Sequence, residues 1–352
     1  MKYIHYVHFS SKPGGIELSI VNILSLLKSK LAVSIYVLRP AKPNDFNVYR
    51  DSGFFVTYGK EGYRTYLKFF KYAQKNKLEI FHLFNAGPII LILARLAGVK
   101  HLVYSIRGTK YFCSFLKKIF LKPIWKLALR KSYLITSNSI YSGDVFKREV
   151  YKKKQIYLLY NPINTVRFSL KNDHTSSKLI RKIIYTGRLA NGKNLTKWID
   201  VAYHLLKEDS NYQFEIYGDG PIRKNLEENV LSEYKKDILF KGYTSNIETA
   251  FKEADLLLFL SEYESFGNVV IESVLCGTPV LCSNIPVMYE IFEEAPEFII
   301  DMQGDINAQV LDRLQNLEKL KEKALYLAPK FAEKFGHQQH LDKLIEIYNS
   351  FD

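Results

Sequence analysis

The stretch ADLLLFLSEYESFGNVVIESVLCGTPVLC, residues 254–282, decides the fold. Asp255–Leu260 has the length and the nearly unbroken apolar character of a strand covered on both faces. Val269–Cys276 carries apolar residues at helical spacing, Gly277-Thr278-Pro279 makes a turn, and Pro279–Cys282 is apolar again. Strand, helix and strand in so short a span form a βαβ unit. Its strands run parallel because the helix carries the chain back to the starting edge.

The same alternation extends in both directions. Upstream, strands at Lys182–Thr186, Tyr212–Tyr217 and Ile238–Gly242 alternate with helices over Leu195–Glu208, Ile222–Glu233 and a short one from Asn246. A strand at Glu297–Ile300 follows, and the chain after Asp305 reads as helix. The first half has its own array, with strands at Lys2–Phe9, Ala32–Leu38, Glu79–Phe84, His101–Ile106, Tyr133–Ser137 and Ile156–Tyr160. Helices over Ile16–Lys30, Tyr63–Lys77, Ile89–Ala97, Phe112–Lys131 and Ile140–Val150 lie between them. The polar segment Lys171–Lys178 reads as a linker.

The expectation is therefore an α/β chain with two Rossmann-like domains facing a central cleft. A basic first domain spans residues 1–165 and a second spans 166–335, while a helix over 336–352 turns back toward the first. A length of 352 residues suits two domains of about 150 residues each. Ligands of such open sheets bind outside the carboxyl ends of the strands.

Composition narrows the classes. Apolar residues are 47% and charged residues 24%, which excludes disordered, collagen-like and coiled-coil chains. The cysteines Cys113, Cys276 and Cys282 form no CxxC, which excludes a disulfide scaffold and a cysteine zinc site. No apolar run reaches the roughly 18 residues of a membrane span. The opening MKYIHYVHFS alternates like a strand and not like a signal peptide, so a cytoplasmic protein is expected.

Charge is unevenly spread. Residues 1–160 hold 28 basic and 7 acidic residues, a net +21, while residues 161–352 hold 22 and 29, a net −7. A basic half suits an anionic partner. Its densest part, Leu116–Lys131, has six cations and no acid. Lys118, Lys122, Lys126 and Arg130 recur every fourth residue beside Ile119, Phe120, Ile124, Trp125 and Leu127, with Pro123 expected to kink the helix. A basic amphipathic helix with Trp fits an anionic membrane surface.

Four motifs can carry chemistry. Glu264 and Glu272 are eight apart, the first in the loop after the strand and the second one turn into the helix. Phe266, Gly267 and Asn268 between them offer free backbone N–H groups at a helix start, which favours phosphate. Carboxylates there can accept hydrogen bonds from sugar hydroxyls. Thr186-Gly187-Arg188 ends a strand and Gly192-Lys193-Asn194 opens a helix, so Arg188 and Lys193 can neutralise a diphosphate. Gly218-Asp219-Gly220-Pro221 lets backbone approach a ligand, or is a plain turn. Gly14-Gly15 joins the first strand to the first helix and is not a P-loop.

In order along the chain, GGIE, Asn161-Pro162-Ile163, GRL with GKN, GDGP, the KGY turn at Lys241–Tyr243, E-x7-E and GTPV resemble the GT4 group of retaining glycosyltransferases, which have the GT-B fold. The resemblance spans nearly the whole chain and is strongest over 182–290. It implies transfer of a sugar from a nucleotide-diphosphate donor, with retention at the anomeric carbon, to a lipid-linked or surface-polysaccharide acceptor. Capsule, O-antigen, lipopolysaccharide or exopolysaccharide synthesis at the inner face of the cytoplasmic membrane would be its setting.

The resemblance also implies the residue roles. Arg188 and Lys193 would stabilise the departing diphosphate. Glu272 would hold the ribose and Glu264 would face the donor sugar. Ser265, Phe266, Gly267, Asn268 and Val269 would line sugar and phosphate, together with Gly187, Gly218, Gly220 and Tyr243. Gly14 and Gly15 would approach the diphosphate from the first domain. The acceptor hydroxyl would attack from the front face with the leaving diphosphate as base. No cofactor is implied beyond the donor itself, and no metal. Where many members carry a histidine, Ser105-Ile106-Arg107-Gly108 puts Arg107, which cannot be a base but can bind phosphate or an acidic acceptor. A nucleotide-sugar epimerase of the same fold is the alternative. A nucleic-acid-binding protein is a remote one, with no zinc-finger, RNP or KH signature.

Overall fold

The structure, a computed structural model, describes residues 3–11, 15–28, 30–39, 48–60, 62–111, 115–130, 133–152, 155–170 and 181–351. Gly14, Cys113 and the expected linker Lys171–Lys178 lie outside the described residues. The chain forms two compact units, residues 1–162 with 337–352, and residues 163–336.

The first unit holds a seven-stranded sheet. Its strands are β1 Tyr3–His8, β2 Ala32–Val37, β3 Val56–Tyr58, β4 Ile80–Phe84, β5 His101–Ile106, β6 Leu134–Ser137 and β7 Tyr157–Leu158. They run parallel in the order β3-β2-β1-β4-β5-β6-β7. The second unit holds β8 Arg181–Thr186, β9 Tyr212–Tyr217, β10 Ile238–Gly242, β11 Leu256–Phe259, β12 Val280–Ser283 and β13 Ile299–Ile300. These are parallel in the order β10-β9-β8-β11-β12-β13. In each sheet the chain builds outward from its first strand, then returns to that strand's other side. The order thus reverses between β1 and β4, and between β8 and β11. Such a reversal sends the adjacent connections to opposite faces and opens a crevice at the carboxyl ends.

Burial explains the central strands. All four residues of β11 are buried, Leu257 pairs with Val280, and Leu256 pairs with Ile183. The helix Leu195–Glu208 covers one face through Leu195, Trp198, Ile199, Ala202 and Leu205. Trp198 donates its indole N–H to Leu258 O at 3.1 Å, satisfying its one polar atom inside the core.

Some elements depart from the sequence reading. The edge strand β3 and the short helix Val48–Asp51 have no counterpart in it. The helix expected over Ile222–Glu233 is only Arg223–Asn229, because Val230 turns extended and buries its side chain; a single 3₁₀ turn at Ser232–Tyr234 follows. Pro296–Phe298 forms another such turn, so β13 begins at Ile299.

The closing helix His337–Asn349 belongs to the first unit. Leu341, Leu344 and Tyr348 join the apolar cluster of Ile4, Leu24 and Val103. Tyr348 OH lies 2.6 Å from Tyr6 OH and 2.7 Å from His82 Nδ1. His82 Nε2 is 2.6 Å from Ser105 Oγ, itself 2.6 Å from Thr136 Oγ1. The helix is thus fixed to β1, β4, β5 and β6 by a buried polar chain. His340 Nδ1 bonds Tyr160 O at 2.6 Å.

Both histidines stay neutral in the fold. Burial, then the charge of Arg107, holds His82 well below its usual value and His340 at about 3. In the unfolded chain each takes up a proton below about pH 6.5. The unfolded state then binds more protons, so stability is full above pH 6.5 and falls as pH drops toward 3. Urea titrations at pH 7.5 and 5 are expected to show this loss, and His340→Gln should flatten it.

A cavity of about 280 Å³ lies at the amino ends of the first sheet, lined by Tyr3, His5, Ser34, Phe55, Tyr72 and Glu79. It sits at the edge opposite the carboxyl ends.

Candidate functional site

In the second unit the loops after β8, β9 and β10 are zipped by backbone hydrogen bonds. Gly187 N–H donates to Tyr217 O at 3.0 Å, Leu189 N–H to Asp219 O at 2.9 Å, and Gly218 N–H to Gly242 O at 2.8 Å. A Cβ on Gly218 would stand 1.9 Å from Gly187 O, and one on Gly220 2.1 Å from Leu189 O. The GDGP glycines therefore have a packing reason inside the protein, the close passage of one loop over the next. Tyr243, beyond β10, is 71% exposed.

The loops after β8 and β11 are tied across the reversal point. Asn194 Nδ2–H donates to Leu260 O and Glu262 N–H donates to Gly192 O, both at 2.9 Å. Gly192 has φ +85° and a Cβ there would meet Tyr263 Cε1 at 2.5 Å, so only glycine fits. This tie places Lys193 against Glu264 as an ion pair whose side chains are 22% and 18% exposed. Lys193 Nζ also stands 5.8 Å from the Phe259 ring centre. Arg188, in contrast, is exposed, and its guanidinium has no hydrogen-bond or ion-pair partner among the described residues.

Gly267, at φ +105°, precedes the helix Asn268–Leu275, and Val270 N–H donates to Gly267 O at 3.2 Å in its first turn. Phe266 turns its ring inward, 5.6 Å from Phe335, leaving only its backbone to face a ligand. Ser265 and Val269 flank this start. One turn on, Glu272 is half-buried. Burial raises its carboxyl to about 7, against a smaller lowering by Arg167 and with a further raising by Glu248. Arg167 itself grips Glu248 with Nε at 2.8 Å and Nη2 at 2.7 Å. A carboxyl with so raised a value gains most from groups that hydrogen-bond its charged form.

In the first unit Gly15 begins the helix Gly15–Leu27, and a Cβ there would meet nothing within 4 Å. Arg107 directly follows β5. Its side chain is 3% exposed and stands 5.2 Å over the Phe84 ring, with Nη1 donating to Asn161 Oδ1. Burial lowers its value to about 10. The Phe84 ring and Asn161 thus fix this guanidinium at the ends of β4 and β5.

The basic helix is Phe115–Ala128 with Pro123 inside it. Trp125 was expected on its outer surface but is buried, edge-on to Tyr104 at 5.7 Å and Phe146 at 5.6 Å. A ring that large is drawn into the core by its apolar area. Lys118 pairs with Glu149 at 2.6 Å. Ile119, Phe120 and Leu127 remain exposed, as do Lys126 and Arg130.

Sequence reading missed Arg167 and Glu248, because no local signal couples either to Glu272.

Two family descriptions match the chain: Glycosyl transferases group 1 over residues 167–336, and Glycosyl transferase 4-like over 17–139. A 41.2 kDa protein in the cps region of Klebsiella pneumoniae is 24% identical over 307 residues, 81% of this chain and 83% of that one. The GalNAc-alpha-(1->4)-GalNAc-alpha-(1->3)-diNAcBac-PP-undecaprenol alpha-1,4-N-acetyl-D-galactosaminyltransferase of Campylobacter jejuni is 27% identical over 292 residues, covering 78% of this chain and 77% of its own. Among solved structures, Anabaena HepE in complex with UDP shares the fold at a TM-score of 0.81 and 17% identity, covering 99% of this chain and 100% of its own.

Proposed function

The chain belongs to the group 1 glycosyl transferases and has their two-domain GT-B fold, and from that premise we propose that it transfers a sugar, with retention, from a UDP-sugar to a lipid-linked or surface-polysaccharide acceptor. The pathway is assembly of a bacterial capsule, O-antigen or exopolysaccharide. The observation that carries this reading is the ion pair of Lys193 with Glu264 where the loops after β8 and β11 are tied, with Arg188 in the first loop and the helix Asn268–Leu275, which bears Glu272, following the second. HepE binds UDP and the Campylobacter enzyme bears an undecaprenol-linked acceptor in its name, and both support the donor and acceptor classes.

On this reading the work divides among these residues. Glu272 accepts hydrogen bonds from the ribose diol. The first-turn N–H groups and the cations Arg188 and Lys193 take the diphosphate. Glu264 faces the sugar. As the bond from the anomeric carbon to the diphosphate oxygen breaks, charge grows on that oxygen, where the cations stabilise it. The acceptor oxygen bonds to the same face, and its proton passes to the leaving diphosphate. The cations fill the role of a metal, so activity needs none. A panel of UDP-sugars with a lipid-linked acceptor, assayed in EDTA, tests this. Product with the donor's anomeric configuration is expected by NMR. An inverted product, or activity abolished by EDTA and restored by a divalent ion, would contradict it.

The acceptor class implies work at a membrane. No helix among the described residues is long and apolar enough to cross one. Phe120, Leu127, Lys126 and Arg130 supply an exposed apolar and cationic face for an anionic inner leaflet. Each cation adds about 1 kcal/mol near such a surface. Co-sedimentation with phosphatidylglycerol vesicles is expected to exceed that with phosphatidylcholine and to fall sharply in Lys126→Glu/Arg130→Glu. Equal binding to both vesicles would overturn electrostatic docking.

A further inference from the structure

We propose that Glu264 is a specificity-determining residue: by holding Lys193 it makes the site favour the sugar-bearing donor over the bare nucleoside diphosphate. This rests on the donor-site reading above.

The two cations of the site are not equivalent. Arg188 is exposed and its guanidinium is unengaged among the described residues. Lys193 is bound to a carboxylate, and neither side chain of the pair is as much as a quarter exposed. A pair so placed is less screened than one on the open surface. The loops that carry it are fixed by the 2.9 Å bonds from Asn194 to Leu260 and from Glu262 to Gly192, and by the contact that confines residue 192 to glycine. The pair therefore separates by side-chain rotation, not by parting of the loops.

A bare diphosphate meets Arg188 freely but must take Lys193 from Glu264. That leaves a carboxylate with little water and no cation, which is costly. A donor that still carries its sugar brings hydroxyl groups. They donate to Glu264 as Lys193 turns to the diphosphate, so one ionic contact is exchanged for another and no charge is stranded. The same exchange runs backward after transfer. Once the sugar has left, Glu264 retakes Lys193, and the hold on the nucleotide weakens. Glu264 thereby also hastens product release.

The test is calorimetric titration of UDP, GDP and ADP into wild type, Glu264→Gln, Lys193→Gln and the double variant. The nucleotide that binds wild type is expected to bind Glu264→Gln about tenfold tighter. In the Lys193→Gln background the same change should alter affinity less than about twofold, because the effect runs through Lys193. Unchanged or weaker binding in Glu264→Gln, or tightening that survives without Lys193, overturns the proposal while leaving the donor site intact. Wild type that binds none of the three nucleotides overturns the donor-site reading and the proposal with it. Glu264→Ala provides the same comparison should the glutamine variant fold poorly.

Discussion

Arg188→Ala is expected to lower kcat/KM for transfer about 100- to 1,000-fold, the usual effect of removing one group aimed at charge that develops in the transition state. The fold should hardly notice. The guanidinium is exposed, without a partner among the described residues, so its loss should shift stability by no more than about 0.5 kcal/mol. Steady-state kinetics beside a urea melt checks both halves. Unchanged turnover would remove Arg188 from the site, and a large loss of stability would mean that its charge serves the fold.

Gly218→Ala is expected to be the most damaging single change near the site, and for the opposite reason. Gly218 has φ +129° and a Cβ there would stand 1.9 Å from the Gly187 carbonyl oxygen. Both atoms belong to backbone that is hydrogen-bonded on each side, Gly187 to Tyr217 and Gly218 to Gly242, so neither can step aside. The loops after β8 and β9 must part, at a cost of at least about 2 kcal/mol. In a unit of this size that lowers the melting temperature by about 4–8 °C. Arg188 moves with its loop, so nucleotide binding falls as well. Gly304→Ala is the control. Its nearest neighbour would be the amide tip of Gln309 at 3.1 Å, which is hydrogen-bonded to Asp301 and Asp305 but need shift only a few tenths of an ångström, so a loss well below that of Gly218→Ala is expected.

These two residues mark what the sequence could and could not convey. The strands Tyr212–Tyr217 and Ile238–Gly242 are where their apolar runs put them, because a covered parallel strand has no other place to sit. The edge strand Val56–Tyr58 was not legible, since three residues carry no periodicity. The place of Arg188 after a strand was legible, because the apolar run before it ends at Thr186. The ion pair of Lys193 with Glu264 joins residues 71 apart, and the bond of His82 to Tyr348 joins residues 266 apart; only folding brings either together. The basic helix was misread at Trp125 because an amphipathic pattern with two apolar edges does not say which edge the core takes. Arg107 was read as a ligand group from its position after β5, a position that is equally the top of a core. Its hydrogen bond to Asn161 joins residues 54 apart and has no local signal in the sequence.

The most direct measurement is thermal melting of the wild type with UDP, GDP and ADP, beside Glu272→Ala and Arg188→Ala. A nucleotide at about 100 times its Kd should stabilise the unit that binds it by roughly 2.7 kcal/mol. A shift with UDP that disappears in both variants is the expected result, and it places the donor at the ends of β8 and β11. A shift that persists when Glu272 and Arg188 are replaced, or none with any nucleotide in a folded protein, would contradict a donor site built from these residues.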